Sequence, residues 1–337
     1  MRVLVTGADG YLGRLLVTEL ERGGHEVSTL DAGLYRAGLL EAGAPMARQA
    51  DTRELDAAPF AGQQAVVHLA ELSNDPLGEL DSDLTVEINH RASVRLADLA
   101  AEAGVERFVY FSSCSVYGAT GETIVDEDGP TTPLTTYARC KVAVEQDLLG
   151  VERPGLTPVI LRNATVYGPS PALRLDLAIN EFTYDAVVHG AVSMRSAGTS
   201  WRPFVHAGDI AIAARALLEA PLDRVGREIV NVGSDEATIT VRQAADLVAQ
   251  AAGVEVQVAD PSPDLRDYRV SFAKLGRLVP DVRMRPIGDG IADLAGFVRD
   301  HADEFRARPK DDFFRLALLK RQIEATELDG RLRRTEA

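Results

Sequence analysis

The chain has 337 residues, 46% of them hydrophobic and 26% charged, which is typical of a globular protein with a sizeable core. Its 51 acidic residues against 36 basic ones give a net charge of -15, which opposes general binding to nucleic acid or to an anionic membrane. Two cysteines, Cys114 and Cys140, are too few for a disulfide framework or a metal knuckle, and no stretch resembles a signal peptide or a membrane span. We therefore expect a cytoplasmic protein without a metal site.

The N-terminal stretch predicts a strand, a glycine turn and a helix. Residues 3–5 are apolar, three glycines follow at intervals of three, and leucines then recur at helical spacing. The glycines are Gly7, Gly10 and Gly13. Such glycines let the backbone turn sharply and approach a pyrophosphate, which the positive N-terminus of the next helix attracts. A second apolar strand, 25–30, ends at Asp31, where a dinucleotide-binding fold places the acid that holds the adenosine ribose.

This Gly-x-x-Gly-x-x-Gly spacing resembles that of the extended short-chain dehydrogenase/reductase family, which includes nucleotide-sugar epimerases, dehydratases and reductases. Asp31 favours NAD over NADP, because a carboxylate accepts both ribose hydroxyls and repels a 2′-phosphate. Arg36 is the opposing signal, since a basic side chain just beyond the acid would accommodate that phosphate. The resemblance implies further cofactor contacts from the glycine turn, from later strand ends and from one helix: Tyr11, Leu12, Asp51, Thr52, Leu69, Ala70 and Asn89.

Glu71 follows the buried strand predicted over 65–69, on a loop expected to pass beside the cofactor. The resembled family usually has a small residue there. A carboxylate at this point would either act as a general acid or base toward the sugar or project into water. The polar loop that follows contains Ser73 and Asn74, which we expect to face a hydroxylated ligand.

Strands and helices alternate along the first half of the chain, with an amphipathic helix predicted over 81–103 and a buried strand over 107–111. This alternation predicts an α/β fold with a Rossmann-type doubly wound parallel sheet. The resemblance implies a smaller, interleaved C-terminal substrate-binding domain. We predict an NAD-binding domain at 1–168 with returning segments at about 203–233, a substrate-binding domain at 169–202 and 234–305, and a C-terminal helical extension at 306–337.

Tyr137 and Lys141 lie four residues apart on a predicted helix, so both side chains point from one face. Ser113 ends a predicted strand, and ligand crevices of parallel sheets lie at the carboxyl ends of strands. A free tyrosine has a pKa of about 10, and a nearby ammonium and the nicotinamide cation should lower that pKa. We predict that Tyr137 takes a proton from a sugar hydroxyl, that Ser113 shares it, and that Lys141 holds the nicotinamide ribose.

Cys114 and Ser115 stand where 4,6-dehydratases of the resembled family carry Asp-Glu, which argues against the usual dehydratase. If Cys114 faced the sugar, it could support an unusual elimination or epimerisation together with Glu71; packing is its other interpretation. The resemblance implies an NAD-dependent nucleoside-diphosphate-sugar epimerase acting at C4 through a transient keto-sugar. The alternatives are an NAD(P)H-dependent 4-ketoreductase, an atypical dehydratase using Cys114 and Glu71, and a non-catalytic cofactor-sensing protein.

The resemblance also implies which side chains hold the substrate and which partners to expect. The substrate candidates are Ser73, Asn74, Ser113, Cys114, Ser115, Thr165, Asn180, Arg202 and Arg266. Arg202 matches an arginine that clasps a nucleotide pyrophosphate. The expected partners are a nucleoside-diphosphate sugar and a second copy of the chain, joined through the helices around 82–103 and 136–150. The charged tail 308–337 has an apolar stripe and is interpreted as a partner contact or an appended surface helix.

Overall fold

A seven-stranded parallel sheet lies at the centre of the computed structural model, which describes residues 1–40, 45–258 and 267–335. In spatial order its strands are β3 (Arg48–Gln49), β2 (Glu26–Asp31), β1 (Arg2–Thr6), β4 (Ala65–His68), β5 (Arg107–Ser113), β7 (Thr157–Asn163) and β11 (Ile229–Val232). In chain order, β2 and β3 are added on one side of β1, and β4, β5, β7 and β11 are then added on its other side. The strand order therefore reverses between β1 and β4, and a ligand crevice is expected at their carboxyl ends.

Helices cover both faces of this sheet. In chain order, the α-helices of the described residues are α1 (Tyr11–Arg22), α2 (Asp75–Gly78), α3 (Ser82–Thr85), α4 (Ala92–Glu102), α5 (Thr136–Gly150), α6 (Ala178–His189), α7 (Ala207–Glu219), α8 (Leu222–Val225), α9 (Val241–Ala252), α10 (Ala273–Leu278), α11 (Ile287–Asp300), α12 (Ala302–Ala307) and α13 (Arg315–Glu324). Along β1, Val3 and Val5 pack toward α1 and α7, while Leu4 packs toward α4 and α5. The predicted doubly wound α/β fold is confirmed. Within the described ranges, no helix is both long and apolar enough to cross a membrane.

The smaller sheets lie beside the carboxyl ends of the central strands. They are β8 (Thr165–Tyr167) with β10 (Trp201–His206) and β12 (Thr238–Thr240), β9 (Val192–Met194) with β13 (Val256–Val258), and β6 (Ala119–Val125) with β14 (Asp267–Val270). A second apolar core joins α6, α9 and α11 to these strands through residues such as Ile179, Val248 and Leu294. The division into domains proposed from the sequence stays a prediction.

The helix predicted over 81–103 is present, but a π-helical stretch, Val86–Arg91, separates α3 from α4. Asn89 lies in this stretch, fully buried, and its amide accepts the N–H of Leu72 (2.8 Å) and donates to the Leu72 carbonyl (2.9 Å). Asn89 therefore fixes the loop after β4 from behind and lies outside the residues that line the cleft. The predicted contact between Asn89 and the cofactor is therefore corrected: the Asn89 side chain contacts the loop after β4 instead.

The apolar stripe of the C-terminal tail is covered by the chain itself. Leu319, Leu328 and Leu332 are buried, and Leu316 and Ile323 pack beside them against the loop and helices that follow β4. The cluster partners on that side are Leu72, Leu77 and Leu84. The appended helix that the stripe predicts is therefore present as α13, packed onto the cofactor half of the fold, and the partner contact stays a prediction.

Candidate active site

A cleft opens at the carboxyl ends of β1, β4, β5 and β7. The space between its walls, including the mouth that is open to solvent, is about 1610 Å³. Its wall contains the glycine turn after β1, the loop after β4 and the start of α5. These are the elements that a dinucleotide-binding fold places around its ligand.

The glycine turn leaves no room for side chains at two of its three glycines. A Cβ on Gly13 would lie 2.1 Å from the Gly7 carbonyl oxygen, and a Cβ on Gly7 would lie 2.8 Å from the backbone nitrogen of Ala70. Gly7 also has a φ of 75°, which other residues rarely adopt. Gly10 caps α1 without a side-chain hydrogen bond, so the first N–H groups of the helix face the cleft without a side-chain partner. This arrangement fits the phosphates of a dinucleotide.

Asp31 lines the cleft at the end of β2. Its carboxylate accepts the N–H groups of Gly33 (2.7 Å) and Asp9 (3.0 Å), which leaves one lone pair on each oxygen for ribose hydroxyls. Burial raises the pKa of Asp31 above its ordinary value. Arg36 donates instead to Asp9 (2.9 Å) and to the Ala47 carbonyl (2.6 Å) and is absent from the described cleft wall. This placement removes the argument for NADP.

The other predicted cofactor contacts follow the same wall. Those that line it are Gly7, Gly10, Tyr11, Leu12, Gly13, Asp51, Thr52, Leu69, Ala70, Tyr137 and Lys141. Asp51 is also paired with Arg53, whose Nη2 lies 2.5 Å from its carboxylate. The side chain of Asp51 therefore both faces the cleft and fixes the turn that follows β3.

Ser113, Tyr137 and Lys141 meet on one wall of the cleft. Thr135 starts α5 by accepting the N–H of Ala138 (3.2 Å), and this start places Tyr137 and Lys141 on the same helix face. Ser113 is close enough to the Tyr137 phenol to lower its pKa, and Lys141 Nζ lies 5.6 Å from the centre of the Tyr137 ring. This is the constellation that the sequence predicts.

Lys141 is held by Glu71, a pairing that the sequence does not predict. Its Nζ lies 2.5 Å from Glu71 Oε2 and donates to the Phe111 carbonyl (2.5 Å). The hydroxyl of Tyr110 donates to the other carboxylate oxygen of Glu71 (2.8 Å). The side chains of Glu71 and Lys141 are only 2% and 5% exposed. The expectation that Glu71 projects into water is therefore wrong.

This pairing changes the electrostatics of Tyr137. The pKa of Tyr137 lies above its ordinary value, first because of burial and then because of the negative charges of Glu71 and Asp75. The neighbouring Ser113 and the positive charge of Arg174 oppose this rise only in part. The expected lowering by Lys141 is thus corrected, because Glu71 compensates the ammonium. Positive charge added beside the phenol would lower its pKa.

A buried histidine supports Glu71 from the sheet. Hydrogen bonds join His68 Nδ1 to Thr6 Oγ1 (2.7 Å) and His68 Nε2 to Ser93 Oγ (2.8 Å), and Ser93 donates to Glu71 (3.3 Å). Burial, aided by the charge of Lys141, lowers the pKa of His68 to about 3. The imidazole is therefore neutral at physiological pH.

We expect His68 to make the protein less stable in acid. The unfolded chain binds a proton at this histidine below its ordinary pKa of 6.5, whereas the folded protein does so only near pH 3. Between pH 7 and pH 4 this difference lowers the free energy of unfolding by about 3 kcal/mol. Urea unfolding at both pH values measures it, with His68→Gln as the comparison. The loss on acidification should be smaller in the variant by that amount, and equal losses would contradict the assignment.

Three residues of the cleft wall carry a buried polar atom without a hydrogen-bond or ion-pair partner among the described residues. These atoms are Tyr35 Oη, Ser115 Oγ and Asn163 Oδ1. An unpaired buried polar atom costs about 1–3 kcal/mol, which a hydroxylated ligand would offset. Asn163 is absent from the sequence-based candidates, although its place at the end of β7 is a usable signal. Ser73, Asn74 and Thr165 line the same cleft, as predicted.

Two predicted substrate contacts point away from the cleft. Cys114 is fully buried in the 3₁₀ turn after β5, its Sγ donates to the Arg162 carbonyl (3.2 Å), and burial raises its pKa. Asn180 is fully buried and accepts the N–H of Gly168 (2.9 Å) while donating to the Arg174 carbonyl (3.0 Å). Their predicted contacts with substrate are corrected, since neither side chain reaches the cleft in the part of the chain that is described.

Arg202 is buried beside the cleft rather than in its described wall. Its guanidinium lies 5.2 Å from the centre of the Tyr268 ring, and Tyr268 does line the cleft. Its Nη1 donates to the Trp201 carbonyl (2.8 Å). The role predicted for Arg202 stays a prediction, and Arg266 lies outside the described residues.

Besides Asn163, the cleft residues that the sequence-based candidates omit include Tyr35, Arg174 and Arg315. Arg174 is 5% exposed, donates to Ser73 Oγ (3.0 Å) and pairs with Asp176 (2.9 Å). An arginine between two leucines, as at 173–175, is a weak signal of a buried charge.

Comparison with known proteins identifies what this chain is similar to. A family profile described as "NAD dependent epimerase/dehydratase family" matches residues 3–233. A UDP-glucose 4-epimerase of Mycolicibacterium smegmatis is 28% identical over 323 residues, which cover 89% of this chain and 99% of that protein. A dTDP-glucose 4,6-dehydratase of Streptomyces niveus is 26% identical over 324 residues, covering 89% and 94%. The structure of MoeE5 in complex with UDP-glucose and NAD matches with a TM-score of 0.78 and 26% identity, covering 89% and 99%.

Proposed function

We propose, from the premise that this chain belongs to the NAD dependent epimerase/dehydratase family, that it epimerises a nucleoside-diphosphate sugar at C4. The chain is an NAD-dependent enzyme of the nucleotide-sugar epimerase and dehydratase group. The observation that carries the C4 proposal is the wall formed by Ser113, Tyr137 and Lys141, where the residue after the serine points into the core. One acid–base group is what epimerisation at a hydroxyl-bearing carbon requires.

NAD, when bound, supplies the oxidant for C4 of the sugar and, within the same turnover, the hydride that reduces this carbon again. The glycine turn and the free N-terminus of α1 would hold its phosphates, Asp31 its adenosine ribose, and Lys141 its nicotinamide ribose. The packing at Gly7 and Gly13 and the open lone pairs on Asp31 support this placement.

Residues of the chain itself transfer the proton of the sugar hydroxyl. Tyr137 takes the proton of the 4-hydroxyl and gives it back after the sugar presents its other face. Ser113 donates to the same oxygen and holds it near the phenol. Proton transfer by a positioned side chain contributes typically 10²–10⁴-fold to a rate. Burial and Glu71 keep the phenol protonated at neutral pH. Removal of the sugar proton by Tyr137 therefore needs positive charge beside the phenol, which lowers its pKa.

Dehydration would need a second acid–base pair at C5 and C6, and the chain offers none in the usual place. Cys114 packs in the core, and Ser115 presents a hydroxyl. Glu71 is occupied by Lys141 and Tyr110. These placements argue against the atypical dehydratase considered from the sequence.

The substrate is proposed to be a UDP- or dTDP-hexose, by analogy with the relatives. Ser115 Oγ and Asn163 Oδ1 would bind sugar hydroxyls, and the predicted role of Arg202 is to bind the diphosphate. We also propose a homodimer through the helices around 82–103 and 136–150. Leu134 and Val151, which flank α5, are each 48% exposed and support an interface there.

The cofactor that purifies with the protein separates epimerase from ketoreductase. An epimerase regenerates NAD in each turnover, so we expect oxidised NAD to copurify and the C4 epimer to form from a UDP- or dTDP-sugar without added cofactor. Absorbance and mass spectrometry of the released cofactor, followed by incubation with a panel of these sugars, provide the test. A requirement for added reduced cofactor, with its net consumption, would instead establish the 4-ketoreductase.

A further inference from the structure

The tail after α12 crosses the cofactor end of the cleft. Residues 308–335, here called the C-terminal clasp, contact the loop after β2 through its backbone. Gln322 Nε2 donates to the Leu34 carbonyl (2.9 Å), and Arg334 Nη2 donates to the Gly33 carbonyl (2.8 Å). The clasp is therefore fixed to the segment that directly follows the ribose-binding Asp31.

The clasp contributes two side chains to the cleft wall, Arg315 and Leu332. Leu332 is 3% exposed and belongs to the apolar cluster that joins the clasp to Leu72 and Leu77. Ion pairs between Arg333 and Glu54 (3.0 Å) and between Arg331 and Glu87 fasten the end of the clasp. The wall of the cofactor cleft is incomplete without this segment.

Arg315 is the unusual member of this wall. It is 6% exposed, its guanidinium lies 3.7 Å from the centre of the Tyr35 ring, and the described residues provide no ion pair or hydrogen bond to it. Burial, with repulsion from Arg174, lowers the pKa of Arg315 to about 10. Arg174 differs, because Asp176 compensates its charge.

A buried cation without a direct ion-pair partner is costly, and an anion in the cleft would offset that cost. The whole chain has a net charge of -15, so the positive charge at this point of the cleft is opposite in sign to the overall charge. Arg315 interacts electrostatically with Asp31, which lies at the dinucleotide end of the cleft. Its stacking on Tyr35 leaves the N–H groups at the guanidinium edge for an oxyanion.

We infer that the C-terminal clasp is part of the cofactor site, and that Arg315 binds the diphosphate of NAD and slows its release. Diphosphate oxygens are the acceptors that match a planar guanidinium. The sugar nucleotide also carries a diphosphate, but the proximity of Asp31 and Tyr35 favours the dinucleotide. This inference concerns the cofactor alone and does not depend on which sugar reaction the enzyme catalyses.

The test compares Arg315→Met with Arg321→Met in protein freed of cofactor. Methionine keeps an unbranched side chain without charge. Arg321 lies on the same helix, is 45% exposed and pairs with Asp312, so it is a matched arginine outside the cleft. Calorimetry measures the affinities for NAD, adenosine and UDP. Together they distinguish an effect on the diphosphate of the cofactor from an effect on its adenosine or on binding of the sugar nucleotide. The NAD dissociation rate and the unfolding temperature are measured in parallel.

We expect Arg315→Met to weaken NAD binding about 10- to 100-fold and to speed its dissociation, with adenosine and UDP affinities unchanged. The cofactor-free variant should unfold at the same or a higher temperature than the wild type, because an unpaired buried charge is removed. Arg321→Met should bind NAD within twofold of the wild type, and Arg315→Lys should retain more affinity than Arg315→Met. Wild-type NAD affinity in Arg315→Met would overturn the inference, and so would a loss of UDP affinity in place of NAD affinity.

Discussion

Tyr137→Phe is expected to lower turnover at least about 100-fold while NAD remains bound, because the variant loses the group that exchanges the proton of the sugar hydroxyl. Tyr137 lies in the cleft wall beside Ser113 and is 9% exposed, so solvent cannot easily replace its phenol. Steady-state kinetics with the accepted nucleotide sugar measures turnover. Calorimetry measures NAD affinity, which should stay within a few-fold of the wild type.

Tyr117→Phe is the matched control for this change. Tyr117 is a fully buried tyrosine whose hydroxyl donates to Asn231 (2.8 Å) and accepts from Arg162 (2.8 Å), and it lies outside the residues that line the cleft. Loss of these two hydrogen bonds should cost about 2–4 kcal/mol of stability and leave turnover nearly unchanged. Near-normal turnover in Tyr137→Phe, or an equal loss in both variants, would remove Tyr137 from the mechanism.

Glu71→Gln is expected to change both the pH profile and the stability. Without the negative charge of Glu71, the ammonium of Lys141 acts on Tyr137 uncompensated, and the pKa of the phenol falls. The acidic limb of the turnover profile should therefore move to lower pH, by about one unit or more. Breaking a buried ion pair also costs about 3–5 kcal/mol of stability, which urea unfolding measures.

Glu145→Gln separates these two effects. Glu145 forms a similarly buried pair with Arg162 (2.6 Å) and is not part of the described cleft wall. This variant should lose comparable stability while the pH profile of turnover stays where it is. If the profile of Glu71→Gln also stays in place, Glu71 has only a structural role and does not tune Tyr137.

The parts of the site that the sequence predicts are those encoded over short distances. The glycine spacing, the acid at the end of the second strand and the four-residue spacing of Tyr137 and Lys141 each fix a local geometry. The position of Ser113 at a strand end follows from the alternation of strands and helices. These local rules, joined by the topology of a parallel sheet, are sufficient to place the wall that carries the chemistry.

The parts of the site that could not be predicted from the sequence depend on contacts between distant segments or on the direction of one side chain. Glu71 and Lys141 are seventy positions apart, and only the packing of α5 beside β4 and β5 brings them together. Cys114 follows Ser113, but a 3₁₀ turn directs its thiol into the core. Arg315 reaches the cleft because the clasp folds back over the loop after β2. No local pattern specifies any of these three placements.

The most direct measurement is the fate of hydrogen during turnover in D₂O. If the enzyme oxidises C4 and reduces it again with the same hydride, and Tyr137 exchanges only the proton bound to oxygen, no hydrogen on carbon comes from solvent. The expected product is then the C4 epimer with no deuterium on any ring carbon. NMR spectroscopy and mass spectrometry of the recovered nucleotide sugar detect both features. Deuterium at C3 or C5, or loss of water from the sugar, would contradict the account.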